Sequence, residues 1–424
     1  MSTLPDTAPQ AAAAPPQERH PAFAHFPVVD GELQAAGRPL SAWAAEIGRT
    51  PFYLYDRGAI DRRATQLRAA LPPALGLHYA VKANPFPPLL AHMASRVDGF
   101  DVASGGELRR ALDAGMPAHR ISFAGPGKRP EELEQAVAAG ILLHAESARE
   151  VGLLADAAAR LGRPARVAVR VNPDFELKTA GMRMGGGPRP FGVDAEQVPA
   201  LLREIGRLGL GFEGFHLYAG SQNLRAEALV ETLEASYALA LRLADAAPSP
   251  VTHLNLGGGF GIPYFPADRP LDLAPVAGAL HRVAERARDE MPAARLCIEL
   301  GRYLVGEAGV YVSRILDRKV SRGEVFLVAD GGMHHHLAAS GNFGQVVRRN
   351  YPVAIANRMR DDAPREVASV VGPLCTPLDI LAARADLPRA EPGDLVAVMQ
   401  SGAYGASASP AGFLGHPPAS ERLA

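Results

Sequence analysis

The sequence is poor in cysteine and has no long apolar run. Cys297 and Cys375 are its only cysteines among 424 residues, which favours a reducing compartment over a disulfide framework. No apolar run approaches the ~20 residues that a membrane-spanning helix needs, and the first residues contain no hydrophobic core of a secretory signal. We therefore expect a cytoplasmic protein.

Net charge is also nearly absent. The chain has 44 basic and 45 acidic residues, which gives a formal net charge of −1. Such a balance provides no long-range field that would attract nucleic acid or an anionic membrane, so neither is expected as a partner. A chain of this length can bury a large core, and one barrel with a smaller domain is a natural partition.

From Pro51 onward, apolar strand-like runs alternate with amphipathic helical stretches. Eight strand candidates occupy 78–83, 99–104, 121–125, 141–146, 166–172, 212–219, 253–257 and 296–300. Helical patterns between them occupy 130–140, 147–162, 193–208, 226–246 and 273–290. This rhythm predicts an α/β fold of the (β/α)8 TIM-barrel type, although a doubly wound sheet fits the same periodicity.

Composition divides the chain into four segments. Residues 1–24 are rich in Ala, Pro and Gln without periodicity, which predicts a disordered tail. We predict the barrel over 51–308 and a C-terminal β-rich domain over 309–424, to which strands in 25–50 are added. The β domain rests on shorter strand-like runs at 309–316, 325–330, 367–371 and 394–399.

Lys82 directly follows the apolar run of the first strand candidate. Barrel enzymes place their chemistry at such strand ends. An amine held in an apolar pocket loses its proton more readily, as a lysine that bonds to a carbonyl cofactor must. A solvated lysine at a strand end is the ordinary alternative, and the neighbouring motifs decide between the two.

The segment 79–84, Tyr-Ala-Val-Lys-Ala-Asn, resembles the pyridoxal 5'-phosphate (PLP) lysine segment of the fold-type III, alanine-racemase-like decarboxylases. This family includes the ornithine, lysine, arginine and diaminopimelate decarboxylases. The resemblance implies that Lys82 holds PLP covalently and that the reaction is α-decarboxylation of an amino acid. Members are typically head-to-tail homodimers, so it also implies that Cys375 and Tyr404 reach the active site of the partner subunit.

A run of three glycines, Gly257, Gly258 and Gly259, follows the seventh strand candidate. Consecutive glycines let backbone N–H groups converge on an anion because no Cβ blocks the approach. Barrels bind phosphate on the loops after strands seven and eight. The run therefore predicts a phosphate site, with a flexible turn as the alternative.

Two further motifs match cofactor positions of the family. Residues 299–303, Glu-Leu-Gly-Arg-Tyr, resemble Glu-Pro-Gly-Arg-Tyr, and residues 214–222 resemble Gly-x-His-x-His-x-Gly-Ser. A structural ion pair is the alternative for the first, and His216 in the second could equally be a packed barrel histidine. The resemblance implies that Glu299 pairs with the pyridine nitrogen and that Tyr218 stacks on the ring where relatives have histidine. It also implies that Arg302, Ser221 and Tyr404 hold the phosphate, with Gly301 among the cofactor-binding residues.

Residues 372–379, Gly-Pro-Leu-Cys-Thr-Pro-Leu-Asp, resemble Gly-Pro-x-Cys-Glu-Ser-x-Asp. The resemblance implies that Cys375 contacts the substrate and protonates its carbon after CO2 leaves, whereas an inert buried cysteine is the interpretation without this frame. General-acid help is typically worth about 10²–10⁴ in rate. Thr376 occupies the substrate-contacting position at which relatives acting on diamino acids place a carboxylate for the distal ammonium.

Three adjacent histidines, His334, His335 and His336, follow an Asp-Gly-Gly-Met segment. Side chains on a strand alternate faces, so the three are not expected to converge on one ion, and no metal site is predicted. The arginine and the acidic or tyrosine positions with which relatives bind free diaminopimelate or ornithine are not recognisable after this segment.

The segments 214–222 and 340–345 look more like a subgroup that includes carrier-tethered glutamyl decarboxylases of butirosin type and exosortase-associated decarboxylases. With Thr376, this predicts a modified or carrier-bound amino acid as substrate. The alternative is a diaminopimelate decarboxylase making lysine, or an ornithine or lysine decarboxylase. A racemase on the same fold would also keep Lys82, but it would need a catalytic tyrosine instead of the Cys375 segment. Non-catalytic PLP-binding homologues tend to lose the lysine or the cysteine segment, and this chain has both.

Overall fold

The fold contains a closed barrel and a second large sheet. A computed structural model describes residues 20–175, 182–183, 185–345 and 347–424. Barrel strands 1 to 8 are, in order, Gly76–Ala80, Gly99–Val102, Ile121–Phe123, Leu142–Ala145, Arg166–Asn172, Gly211–Leu217, His253–Gly258 and Arg295–Leu300. Each pairs in parallel with its neighbours, and strand 8 returns to strand 1. The closed ring confirms the predicted barrel and excludes the doubly wound sheet.

Helices follow most barrel strands and cover the outside of the ring. Two of them begin at serine caps: the Ser104 hydroxyl accepts from the Glu107 N–H at 3.1 Å, and that of Ser147 from the Glu150 N–H at 3.2 Å. The helices of the described residues are Leu40–Ile47, Arg57–Ala70, Pro87–Met93, Gly105–Asp113, Pro130–Ala139, Ala148–Leu161, Val198–Arg207, Ala226–Ala244, Leu273–Glu290 and Arg302–Val305.

One helical pattern is shorter than predicted. The pattern at 193–208 becomes a helix only from Val198, because Val193–Asp194 extends the barrel sheet beside strand 5. Within the described ranges, no helix is long and apolar enough to cross a membrane.

The second large sheet is mixed and has eight strands. They are Phe52–Tyr55, Gly309–Ser321, Glu324–Ala329, Val353–Ile355, Arg365–Val371, Ile380–Pro388, Leu395–Val398 and Ser420–Leu423. Phe52–Tyr55 lies in the range predicted for the barrel, yet it pairs antiparallel with Gly309–Ser321. The chain therefore contributes to the second sheet before it enters the barrel, which differs from the predicted boundary at residue 51.

The N-terminal residues pack against this second sheet. Val28–Val29, Glu32–Ala35 and Arg38–Pro39 form a small three-stranded sheet of their own. Residues 1–19 of the predicted tail lie outside the described residues, but Pro21–Ala24 forms a 3-10 turn whose Ala22 is buried in a core shared with Trp43 and other side chains. Residues 20–24 are thus ordered, unlike the predicted tail, because apolar contacts hold them.

Candidate active site at the carboxyl ends of the barrel strands

Lys82 lies on a single 3-10 turn, Val81–Ala83, directly after barrel strand 1. The turn is buried on both sides of Lys82, whose side chain is accessible within an open cavity of about 690 Å³. Its Nζ lies 5.5 Å from the centroid of the Tyr218 ring. The strand end therefore places an amine against an aromatic face, as a lysine-bound ring cofactor requires.

The charge state of Lys82 differs from the sequence-based expectation. Burial acts to lower its pKa, but Tyr404, Tyr218 and Glu299 act in the opposite direction and outweigh it, so the pKa is raised. The structure thus differs from the expected loss of a proton in an apolar pocket, because Tyr404, Tyr218 and Glu299 beside Lys82 favour the ammonium.

A narrow recess beside Lys82 gathers most of the predicted cofactor-binding residues. These come from the ends of barrel strands 1, 6, 7 and 8 and from the turn after Leu395–Val398. The predicted residues that line it are Lys82, Tyr218, Ser221, Gly259, Glu299, Gly301, Arg302 and Tyr404. A single chain thus brings together residues that are scattered over more than three hundred positions of its sequence.

The glycine run has a packing role as well as a place at the site. A Cβ on Gly257 would lie 2.4 Å from the Leu217 carbonyl oxygen, and one on Gly258 would lie 2.0 Å from the Glu299 carbonyl oxygen. Gly257 and Gly258 therefore let strands 6, 7 and 8 approach closely, and they do not line the recess. Gly259 does line it, with a φ of +83° that favours glycine.

Arg302 supplies an unused hydrogen-bond donor to the recess. Its Nε is buried without a hydrogen-bond partner among the described residues, while its guanidinium carbon lies 4.8 Å from the Tyr404 ring centroid. A buried guanidinium with a free N–H fits a phosphate, which accepts charge-assisted hydrogen bonds. The residues present therefore fit the phosphate end of PLP.

Glu299, at the end of strand 8, is anchored through one oxygen. Its Oε2 accepts from Asn255 Nδ2 at 3.1 Å and lies 3.2 Å from His216 Nε2. Burial acts to raise the pKa of Glu299, but His216 and Lys82 outweigh it, so the pKa is lowered and the group is a carboxylate. An anion here fits a protonated pyridine nitrogen. Sequence reasoning missed Asn255, although an asparagine in an apolar strand before the glycine run was a visible signal.

Cys375 and Thr376 are not brought to this cavity. Cys375 is exposed, and neither residue lines the cavity or the recess of its own chain. Asp379 holds their loop in place: its carboxylate accepts from the backbone N–H groups of Met333 at 2.6 Å and Leu374 at 2.9 Å. The loop is therefore ordered on the surface, away from Lys82.

Tyr404 also differs from the expectation, because it lies at the site of its own chain. The resemblance implied that it reaches the partner's site, but it lines the cavity and the recess of its own chain. Its backbone has a φ of +54°, and its N–H donates to the Ala83 carbonyl at 2.8 Å. The second sheet thus contributes this tyrosine to the barrel of the same chain.

The three adjacent histidines lie in a turn, not on the expected strand. His334 and His335 line the cavity, and their ring centroids are 3.7 Å apart, whereas His336 Nε2 lies 2.8 Å from the Ser401 hydroxyl. Burial lowers the pKa of all three, so they are neutral imidazoles near pH 7. Among the described residues, no group of three metal-ligating side chains is placed to hold an ion.

Comparison with known protein families agrees with the barrel fold. Residues 57–306 match the pyridoxal binding domain of the pyridoxal-dependent decarboxylases. The chain belongs to this family of PLP-dependent decarboxylases. The expected fold, cofactor and enzyme class are thereby confirmed.

Individual relatives cover almost the whole chain. It is 41% identical over 373 residues to the L-glutamyl-[BtrI acyl-carrier protein] decarboxylase of Niallia circulans, with 87% of each chain covered. It is 34% identical to the diaminopimelate decarboxylase of Aquifex aeolicus, covering 89% of this chain and 87% of the relative.

Solved structures extend the likeness. A crystal structure of diaminopimelate decarboxylase from Helicobacter pylori complexed with L-lysine superposes with a TM-score of 0.78 at 28% identity, covering 91% of this chain and 94% of that one.

A decarboxylase of Staphylococcus aureus, which acts on 2-[(L-alanin-3-ylcarbamoyl)methyl]-2-hydroxybutanedioate, is a third relative by sequence. It is 30% identical over 86% of this chain and 92% of its own length. The family thus includes enzymes named for free and for conjugated amino acids.

Proposed function

We propose that this enzyme decarboxylates an amino acid carried on a larger group, in the first instance a glutamyl-type amino acid bound to a carrier protein. The observation that carries the proposal is the 41% identity to a carrier-bound glutamyl decarboxylase, against 34% to the Aquifex diaminopimelate decarboxylase. Thr376 supports it, because a hydroxyl cannot pair with a distal ammonium as a carboxylate does. The cavity of about 690 Å³ leaves room for a substituted side chain.

The chemistry divides between cofactor and protein. PLP, when bound, supplies the sink for the electron pair that CO2 leaves behind. Lys82 would supply the amine that holds the cofactor, and Glu299 would supply a carboxylate for the pyridine nitrogen. The unpaired Nε of Arg302 would hold the phosphate together with Ser221 and Gly259, which line the same recess.

We also propose that a second copy of the chain completes the site. Cys375 and Thr376 are exposed or partly exposed on an ordered loop that lies outside the Lys82 cavity. In a symmetric dimer, the same loop of the partner can cover the open cavity. Cys375 then donates its thiol proton to the substrate carbon.

A cytoplasmic location agrees with a content of two cysteines.

A diaminopimelate or ornithine decarboxylase is the second candidate. Two carboxylates, Glu107 and Glu421, line the cavity and could receive a distal ammonium. Each accepts one hydrogen bond inside the chain through a single oxygen, Glu107 from the Ala103 N–H at 2.8 Å and Glu421 from the Tyr55 hydroxyl at 2.7 Å. The conjugated substrate is favoured over this candidate by the higher identity to the carrier-bound glutamyl decarboxylase.

A CO2-release assay of PLP-loaded protein tests the choice. It compares free L-glutamate, meso-diaminopimelate and ornithine with a γ-glutamyl thioester of a small thiol and with the same group on a carrier protein. We expect kcat/KM for the conjugates to exceed that for every free amino acid at least tenfold. Equal or faster turnover of a free diamino acid would favour the second candidate.

A further inference from the structure

Four histidines stand together inside the barrel. They come from strands 1, 4, 6 and 7, and their neighbouring ring centroids lie 4.5 to 6.3 Å apart. His144 and His216 are buried, and His78 and His253 are half-buried. Strands 1, 6 and 7 also lead into residues that line the recess.

Among these histidines, His216 is the one whose ring contacts the Glu299 carboxylate. Its Nε2 lies 3.2 Å from Glu299 Oε2, an ion-pair distance without the alignment of a hydrogen bond. Asn255, its partner in register on strand 7, donates to the same oxygen at 3.1 Å. Two side chains therefore hold Oε2, and Oε1 is left for the recess that Glu299 lines.

The other three histidines have different electrostatic surroundings. Burial, followed by the neighbouring histidines, lowers the pKa of His144 and lowers that of His253 to about 3, so both are neutral. His78 is paired with Asp101 at 3.5 Å; burial opposes its protonation, but Asp101 outweighs burial and raises its pKa. His216 is the ring that lies against the Glu299 carboxylate.

We propose that His216 is a positioning residue for Glu299. It carries a proton at Nε2 and, with Asn255, keeps the Glu299 carboxylate anionic and aligned, so that Oε1 meets the pyridine nitrogen. This rests on the proposed role of Glu299. Charged or titratable groups that face the pair from other elements are Lys82 after strand 1, Arg170 on strand 5 and Tyr218 after strand 6, besides His144 and His253.

The test is a pH titration of the visible absorbance of PLP-loaded protein, with His216→Gln compared against His144→Gln. Both glutamines replace a buried ring of the same stack, but His144 has no recorded contact with Glu299. We expect His216→Gln to raise the pH at which the absorbance changes by at least one unit, because a weakened Glu299 anion leaves the cofactor ring less positive, and to weaken PLP binding at least tenfold. His144→Gln should titrate within a few tenths of a unit of the unmodified protein.

Identical titration of the two variants would overturn the proposal, since a merely structural role would affect both. If His216→Gln does not fold, ring-15N-labelled histidine in the unmodified PLP-loaded protein gives a second measurement, with the His216 ring assigned through its contact with His144. The proposal requires a proton on Nε2 of His216, and an Nε2 without a proton contradicts it. A protein that binds PLP and titrates as described, yet releases no CO2, would count against the proposed function alone.

Discussion

The backbone N–H of Tyr404 donates to the carbonyl of Ala83 across 2.8 Å, which joins the turn that follows the second sheet to the turn that carries Lys82. A side-chain bond reinforces the junction, because Asn84 Nδ2 donates to the Gly402 carbonyl at 3.0 Å. The lysine is therefore positioned by both sheets of the chain.

Replacing Asn84 with Ala should destabilise the protein by about 1–3 kcal/mol, because the buried Gly402 carbonyl loses its donor. Asn84 Oδ1 also accepts from the Phe86 N–H at 3.1 Å. Asn84→Asp is the companion variant: it keeps this acceptor but places a carboxylate oxygen against the Gly402 carbonyl in place of the donor, so it should be destabilised at least as much. Urea unfolding of the cofactor-free proteins gives the comparison, and an unchanged stability of both variants would show that the junction contributes nothing.

Replacing Gly258 with Ala should impair folding and PLP binding, because the added methyl would lie 2.0 Å from the Glu299 carbonyl oxygen. Overpacking of this kind costs typically about 1–3 kcal/mol. Gly152→Ala is the control, since that helical glycine has nothing within 4 Å of the added Cβ. The control should be neutral or slightly stabilising, and equal thermal midpoints for the two variants would contradict the packing role of Gly258.

Replacing Cys375 with Ala should leave PLP binding unchanged and slow turnover about 10²–10⁴-fold, the usual worth of general-acid catalysis. Misplaced protonation should also yield an aldehyde by-product. Cys297→Ala is the control, because that thiol is buried and burial raises its pKa well above the ordinary value. Product analysis by mass spectrometry distinguishes the two variants.

Mixing inactive Lys82→Ala subunits with inactive Cys375→Ala subunits tests the shared site. A hybrid dimer has one site with both residues intact, so random assembly at equal amounts should restore about a quarter of the original activity. Subunit exchange is verified separately. If exchange occurs and activity is not restored, Cys375 does not act in the partner's active site.

Replacing Thr376 with Glu should improve turnover of ornithine or diaminopimelate relative to the conjugated substrate. A new charge-assisted bond to a distal ammonium is worth about 1.5–3 kcal/mol, which corresponds to about 10–100-fold in kcat/KM. Thr376→Gln is the matched control, since it has the same length without the charge. Equal effects of Glu and Gln would show that position 376 does not meet the distal group.

Much of the barrel could be predicted from the sequence, because its strands are local apolar runs followed by capped helices. Lys82 and Gly259 were predicted near strand ends where barrels place their sites, and Glu299 was expected beside them because its motif resembles that of the family. The second sheet was less predictable, since Phe52–Tyr55 finds its partner in a strand that begins at Gly309. No local pattern records a pairing over that separation.

The chemistry of the site depended on contacts that the sequence does not show. The raised pKa of Lys82 comes from Tyr404, Tyr218 and Glu299, which approach from three separate parts of the chain. The anchor of Glu299 on Asn255 likewise arises between two neighbouring strands. The alternation expected for His334 to His336 failed because those residues form a turn, where strand periodicity does not apply.

The most direct test of the account is to find the lysine that carries the cofactor. The chain has four lysines, Lys82, Lys128, Lys178 and Lys319. PLP-loaded protein is reduced with borohydride, digested, and its peptides are mapped by mass spectrometry. The account predicts the reduced pyridoxyl group on Lys82 alone, in near-stoichiometric amount. A stable label on another lysine, with Lys82 unmodified, would contradict it.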